Sequence, residues 1–139
     1  MSLKPEQLAA LAVAAILLLF GIFAQPKLPW EGQATGANVA TCGTLSANTN
    51  YTLTADINND AGTCFSISGS NIGLDCQGHT IDGTNASSDY GIYMAPTNEY
   101  NGTLIKNCVI TDMQYGIYLW NSGVNHKITN VTSTTTPIS

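Results

Sequence analysis

A short motif recurs in the second half of the chain, and this repeat limits the possible folds more than any other feature of the sequence. The tetrapeptide GIYM, which starts at Gly91, returns one cycle later as GIYL, which starts at Gly116. The segment TLIKNCVI, which starts at Thr103, is echoed by HKITNVT, which starts at His126. An earlier cycle, FSISGSNIGLDCQGHTIDG, starts at Phe65. Cycles of this length are typical of solenoids, in which each unit stacks on its neighbour.

The repeated segments have the residue pattern of β-strands. Apolar side chains occupy alternate positions, as at Ile72, Leu74 and Cys76, and turn-forming residues separate the segments. Such short strands bury an apolar face only by stacking, so the sequence predicts an all-β fold, a short right-handed parallel β-helix. Asn107 and Asn130 are equivalent in the repeat and are predicted to form a ladder of hydrogen-bonded amides. We expect glycines at the corners of the fold, namely Gly78, Gly83, Gly91 and Gly116.

The predicted organisation has four segments. An N-terminal apolar helix covers residues 1–24, a linker residues 25–41, the β-helix repeats residues 42–133 and a C-terminal tail residues 134–139. The structural alternative is an immunoglobulin-like sandwich, which also has short alternating strands but does not predict the repeat.

The N-terminal segment contains an unbroken apolar run at residues 8–24. A helix with a rise of ~1.5 Å per residue would nearly cross a hydrocarbon layer of ~30 Å over this run, and Pro26 would end it. The run therefore predicts a transmembrane or signal-anchor helix. A cleaved signal peptide is the alternative, although Ile22 stands where the cleavage site prefers a small residue. Both readings predict a cell-surface or extracellular chain, and the first predicts a membrane-anchored one.

The charge of the chain excludes one class of partner. There is no arginine, there are only four lysines, and the net charge is −5. A nucleic-acid-binding surface needs a basic stripe to contact phosphates, so nucleic acid is not an expected partner.

Four cysteines are an even number, which favours disulfides in an exported chain. We expect Cys42 to pair with Cys64 and to close a loop around the first cycle. Cys76 and Cys108 either form a second disulfide or lie buried as small apolar residues. The chain has no CxxC pair, and its two histidines are far apart in sequence, so neither a metal site nor a cofactor is predicted.

Four sequons fit N-glycosylation of an extracellular chain. Their asparagines are Asn50, Asn85, Asn101 and Asn130.

Residues 42–133 resemble the parallel β-helix repeat proteins of the NosD and carbohydrate-binding or sugar-hydrolase group, which are common on archaeal surfaces. The resemblance rests on the succession TCGTLSANTNYTLTADI, GTCFSI, NIGLDCQGHTIDG, GIYM and LIKNCVI. It implies the β-helix fold but no single activity, because adhesins, surface-layer proteins, epimerases and pectin-degrading enzymes share such repeats.

The best enzymatic candidate in the sequence is LDCQGHTIDG, which brings Asp75, His79 and Asp82 close together. Glycoside hydrolysis needs two carboxylates at a defined separation, and the pairs found in pectin hydrolases are absent. We therefore interpret Asp75 and Asp82 as structural or solvated residues and assign no catalytic residue. Lys106 and Lys127 are interpreted as solvated side chains, without a carboxylate cluster beside them.

Aromatic side chains provide the candidate ligand site. Strand alternation predicts that Tyr93 and Tyr118 share one face and stack, opposite Ile92 and Ile117. On an outer face these rings, with Trp120, would bind sugar rings; on an inner face they would be core. Tyr90 and Tyr115 precede the same two segments.

These features favour a cell-surface structural or adhesive protein without a catalytic site. A carbohydrate-binding or carbohydrate-active module is the second interpretation, with a glycan as partner. A pilin-like subunit of an extracellular filament is the third, although MSLKPEQ lacks the usual processing signal. The last cycle shows no cap, which predicts either self-association through this end or a longer chain.

Overall fold

The structure is a computed structural model that describes residues 35–96, 99–120 and 123–134. The predicted helix at residues 8–24 lies outside these ranges. Within them, no helix is long and apolar enough to cross a membrane. The described residues form ten strands, which are β1 (Thr35–Val39), β2 (Gly43–Ser46), β3 (Thr49–Leu53), β4 (Thr63–Ser68), β5 (Ile72–Asp75), β6 (Thr80–Asp82), β7 (Tyr90–Met94), β8 (Thr103–Thr111), β9 (Tyr115–Leu119) and β10 (Lys127–Thr134).

The strands form two sheets, and every strand pair is parallel. The six-stranded sheet has the order β1-β3-β5-β8-β10, with β6 paired to β8. The four-stranded sheet has the order β2-β4-β7-β9. Because the chain visits the two sheets in turn, each sheet grows as the cycles follow one another. The prediction of an all-β domain of parallel strands is confirmed.

The register of the strands confirms the repeat. Ile92 pairs with Ile117 and Tyr93 with Tyr118, as the two GIY segments predict. Ile105 pairs with Ile128. β1, however, lies inside the segment predicted as a linker and pairs with β3. Its sequence TGANV contains glycine and asparagine, which are depleted in strands, so pattern analysis gives no strand there.

The core consists of aliphatic residues, cysteines and one phenylalanine. Phe65, Ile92 and Ile110 are fully buried, and Leu74 and Ile105 are 1% exposed. Burial of each such side chain contributes ~1.5–3 kcal/mol. Leu74 pairs with Ile105, which in turn pairs with Ile128 in β10. Ile128 is 50% exposed, because it lies in the last strand of the sheet.

Asparagine, rather than glycine, makes most of the corners. Among the described residues, ten that are not glycine have a positive φ, and seven of these are asparagines. Asparagine tolerates the left-handed conformation better than other residues with a side chain, which explains part of its abundance. Of the four glycines expected at corners, only Gly78 has a positive φ. Gly83, Gly91 and Gly116 instead lie where a Cβ would collide with neighbouring atoms.

The predicted asparagine ladder is confirmed. The Nδ2 of Asn130 donates to the Oδ1 of Asn107 over 2.8 Å. Asp75 extends the ladder, since the Nδ2 of Asn107 donates to its Oδ1 over 2.9 Å. A second amide contact joins Asn71 to Asn48, over 3.1 Å, at another corner.

Both disulfides form. Cys42 is bonded to Cys64, as expected, and Cys76 to Cys108, which settles the pairing that the sequence left open. Disulfides are typical of proteins that fold in an oxidising compartment, such as the cell exterior.

Candidate functional site

Within the described ranges, the largest group of aromatic side chains lies on the four-stranded sheet. Ile92 and Met94 in β7 point into the core with no exposed surface, whereas Tyr93 between them is partly exposed. Because side chains alternate along a strand, Tyr93 faces outward. Tyr118 pairs with Tyr93 in the register and lies on the same outer face. This answers the question that the sequence left open, since these rings are not part of the core.

Five rings pack against one another on this face. The rings of Tyr93 and Tyr118 stack with centroids 5.8 Å apart and planes 14° apart. Tyr90 and Tyr115 stack in the same way at 5.1 Å and 14°. Trp120 stacks on Tyr118 at 5.8 Å and 23°. We call these five residues the tyrosine surface.

Tyr90 and Tyr115 join this surface although strand alternation predicts otherwise. Residues three apart should point to opposite faces of a strand, yet the rings of Tyr90 and Tyr93 are only 4.9 Å apart. Between them lies Gly91, where a Cβ would come within 2.5 Å of the carbonyl oxygen of Gly116. Gly91 and Gly116 are also left out of the otherwise continuous pairing of β7 and β9. The two glycines therefore permit a local kink that turns both tyrosines of each segment outward.

The tyrosine surface combines stability with exposure. Aromatic pairs at such distances contribute ~0.5–1.5 kcal/mol beyond the burial of their area. Even so, Tyr115 is 42% exposed and Trp120 is 57% exposed. These two side chains offer ring surface to a ligand, while their stacking partners hold them in place.

The phenol group of Tyr118 is held in its neutral form by its neighbours, because its pKa is raised. Burial raises the pKa of Tyr118 above its ordinary value, and the neighbouring Tyr90, Tyr115 and Tyr93 raise it further. A neutral phenol both donates and accepts a hydrogen bond.

The strands of the four-stranded sheet carry no charged side chain. Their sequences are GTLS, TCFSIS, YGIYM and YGIYL, and serine and threonine occupy the outward positions of β2 and β4. Lys106 and Lys127 belong to the other sheet. The tyrosine surface therefore belongs to an uncharged sheet face.

The enzymatic candidates bind separate structural partners. Asp75 accepts hydrogen bonds from Asn107 and from the backbone N–H of Gln77, and its Oδ2 lies 3.0 Å from the Nζ of Lys106. Lys106 therefore has one carboxylate partner, a contact that the sequence interpretation did not predict. Burial raises the pKa of Asp75, but these contacts lower it by more, so it lies below the ordinary value.

His79 and Asp82 are engaged elsewhere. The Nδ1 of His79 lies 2.9 Å from the Oδ1 of Asp56. Asp82 accepts hydrogen bonds from the hydroxyl of Thr111 and from the N–H of Asn59. The part of the chain that the structure describes contains no group of three or more His, Cys, Asp or Glu side chains that could hold a metal ion.

Comparison with known proteins identifies no relative. No family model, no curated protein and no solved structure matches this chain. The functional interpretation therefore depends on the geometry of the described residues.

Proposed function

We propose that the protein is a cell-surface adhesive protein that binds neutral carbohydrate through the tyrosine surface. The single observation that carries this proposal is the outward cluster of stacked aromatic rings on an uncharged sheet face. Sugar rings have apolar C–H faces that pack on aromatic rings, and their hydroxyl groups hydrogen-bond with the phenol groups of tyrosines.

We infer that the two sheets are the walls of a short right-handed parallel β-helix. The chain alternates between the sheets, and strands of successive cycles pair in parallel, as Gly43 with Phe65 in one sheet and Thr49 with Ile72 in the other. Both features support this inference. Crossovers between parallel strands are almost always right-handed. The resemblance to the NosD-type repeat group belongs to the same proposal.

The proposed location is the outside of a cell. Two disulfides support an oxidising environment. Attachment to the membrane through residues 8–24 stays a prediction from the sequence, as does self-association through the exposed end at β10.

The absence of charged side chains on this sheet face predicts which sugars bind. Uronic and sialic acids carry a carboxylate that loses water on binding, and arginine or lysine usually pairs with it. No such side chain occurs in the strands of this sheet. Neutral hexose oligosaccharides are therefore preferred over their acidic counterparts.

The test is a binding measurement with the full-length protein on an array of neutral oligosaccharides and the corresponding uronates. Trp120→Ala and Tyr115→Ala are each expected to weaken binding of the best neutral ligand about tenfold, the effect of losing ~1.4 kcal/mol of stacking. Tryptophan fluorescence should change on binding, because Trp120 is one of only two tryptophans in the chain.

Thr44→Ala is the matched control. Thr44 lies in β2, in the register row that continues through Ser66 and Tyr93 to Tyr118, but it has no ring. We expect this variant to bind like the parent protein. Binding that survives both aromatic substitutions, or that prefers the uronates, would refute the proposal.

A further inference from the structure

The four sequons differ in what their asparagines do in the fold. Asn130 and Asn85 have left-handed backbone conformations, with φ of 51° and 58°. Asn130 also donates its Nδ2 to the ladder. The Oδ1 of Asn101 accepts a hydrogen bond from the N–H of Val124 over 2.7 Å. Corner and ladder roles therefore explain the asparagines of these three sequons without any modification.

Asn50 has no such explanation. It lies within β3, with ordinary strand pairing to Gly73, and its side chain is exposed. Asparagine is depleted in strands, because its side chain competes for backbone hydrogen bonds and packs poorly on a pleated surface. The amide of Asn50 makes no hydrogen bond with any residue of the described ranges, so its Nδ2 is available.

Thr52, the third residue of this sequon, points to the same side as Asn50. Residues two apart in a strand share a face, and this face is the outer one because Tyr51 between them packs against the core. The amide and the hydroxyl of the sequon therefore stand side by side on the outside of the six-stranded sheet.

A groove lies directly beside the Asn50 amide. Gly73 pairs with Asn50 on one side and with Leu104 on the other and has no side chain, so the outer face is low at this point. A Cβ on Gly73 would collide with the Asn50 side chain, which lies across it. The groove has a volume of about 330 Å³ and is lined by, among others, Asn50, Thr52, Gly73, Asp75, Leu104 and Lys106.

The lining of the groove suits a sugar. Leu104 offers an apolar wall, and the ion pair between Asp75 and Lys106 offers both an acceptor and a donor at the other side. The volume of the groove is at the small end of the range for ligand sites, which suits one sugar ring better than a chain of them. A single sugar attached to Asn50 would lie over this groove rather than project into solvent.

We propose that Asn50 is an N-glycosylation site and that its first sugar is seated in this groove. In the reaction the Nδ2 of Asn50 forms a bond to the anomeric carbon of a sugar carried on a lipid phosphate. The bond from that carbon to the phosphate oxygen breaks, the phosphate leaves with the electron pair, and the amide loses one proton. A membrane-bound oligosaccharide transferase supplies the donor and the catalysis.

The first test is glycopeptide mass spectrometry of the protein purified from the cells that make it. We expect the peptide that contains Asn50 to carry a glycan. Thr52→Ala should abolish this glycan, whereas Thr52→Ser should keep it, because serine completes the sequon equally. Asn130→Gln is the matched control and should leave the glycan at Asn50 in place. An unmodified Asn50, whether or not another sequon is occupied, would overturn the proposal.

The second test measures whether the sugar attached to Asn50 lies in the groove. In the glycosylated protein Lys106 should react with an amine-acylating reagent several-fold more slowly than in the Thr52→Ala variant. Lys127 lies in β10, beyond the groove lining, and should react at the same rate in both proteins. Equal rates for Lys106 in the two proteins would show that the sugar lies outside the groove. Neither test depends on ligand binding by the tyrosine surface.

Discussion

Asp89 is a buried carboxylate, 2% exposed, immediately before the first residue of the tyrosine surface. It accepts hydrogen bonds from the N–H groups of Gly62, Thr84 and Ala86 and from the hydroxyl of Thr84. Burial raises its pKa, but the hydrogen bonds lower it by more, so the pKa lies below the ordinary value. The carboxylate thus joins the loop before β4 to the loop between β6 and β7 and fixes the start of β7.

We expect Asp89→Asn to destabilise the protein by about 1–3 kcal/mol at neutral pH, because an amide NH₂ replaces an oxygen that faces N–H donors. Urea unfolding measures the change. Asp60→Asn is the control, since the Asp60 side chain makes no hydrogen bond with the described residues. An unchanged unfolding midpoint for Asp89→Asn would contradict the assigned role.

The lowered pKa of Asp89 also predicts a pH dependence. Its stabilising effect is fully present above the pKa of the unfolded chain, about 3.8, and is lost as the pH falls through the lower folded pKa. The parent protein should therefore lose stability relative to Asp89→Asn below about pH 4. Unfolding curves at several acidic pH values measure the difference, which should shrink as the pH is lowered.

At the scale of the strand and the corner, the asparagine ladder combines a backbone role with a side-chain role. Asn107 has a φ of 55°, accepts from Asn130 and donates to Asp75. Asn107→Gly removes only the ladder contacts, whereas Asn107→Ala also forces a Cβ into the left-handed region. We expect Asn107→Ala to be less stable than Asn107→Gly by about 1 kcal/mol. Thermal unfolding of both variants decides this, and the reverse order would exclude the backbone role.

The kink at Gly91 can be tested by replacing this glycine with alanine, with the same substitution at another glycine as the control. Gly91→Ala should destabilise by about 1–3 kcal/mol, because its Cβ would meet the Gly116 carbonyl and Ile110. It should also weaken sugar binding, since the tyrosines of β7 and β9 would no longer align. Gly43→Ala in β2 has open space around the new methyl group and should leave both properties unchanged. Equal effects of the two substitutions on stability would argue against the close approach.

The sequence predicts some of these elements and misses others for identifiable reasons. Matching motifs place Ile92 over Ile117 and Asn107 over Asn130, so the strand pairing and the ladder follow from the repeat. The outward turn of Tyr90 does not follow, because alternation assumes an unbroken strand and the kink depends on a contact between cycles. The role of Asp75 in the ladder is missed because the register pairs Asp75 with Lys106, so the repeat does not place its carboxylate next to the Asn107 amide.

At the scale of the whole molecule, the disulfides cross-link neighbouring cycles, one beside each sheet. Cys42–Cys64 closes a loop with a sequence separation of 22, which is worth about 3 kcal/mol of unfolded-chain entropy. Replacing both cysteines by alanine should lower stability by about this amount. The Cys76→Ala/Cys108→Ala variant should lose more, because its loop is longer, with a separation of 32, and both residues lie in the core. Thermal unfolding of the two double variants measures both losses of stability. A larger loss for the Cys42–Cys64 pair than for the Cys76–Cys108 pair would contradict this prediction.

The fold class of the molecule is readable from the sequence, whereas its site is only partly so. Short parallel strands with alternating apolar residues bury those residues by stacking on the next cycle, as Leu74 pairs with Ile105. A binding face forms only if Tyr93 and Tyr118 lie on the outer side of their strands, and the sequence of the GIY segments does not decide between the outer and the inner side. The groove at Gly73 is not visible in the sequence, because it arises from a missing side chain between two residues of neighbouring cycles.

The positions of the cysteines have a mechanical consequence for the adhesive role proposed above. The two covalent links tie together the cycles up to β8, whereas β9 and β10 contain no cysteine. A load applied beyond β10 would therefore peel these last two strands away first, one hydrogen bond at a time. Because β9 carries Tyr115 and Tyr118, its detachment under tension would release a bound sugar. The part of the fold up to β8, which the disulfides cross-link, would unfold later.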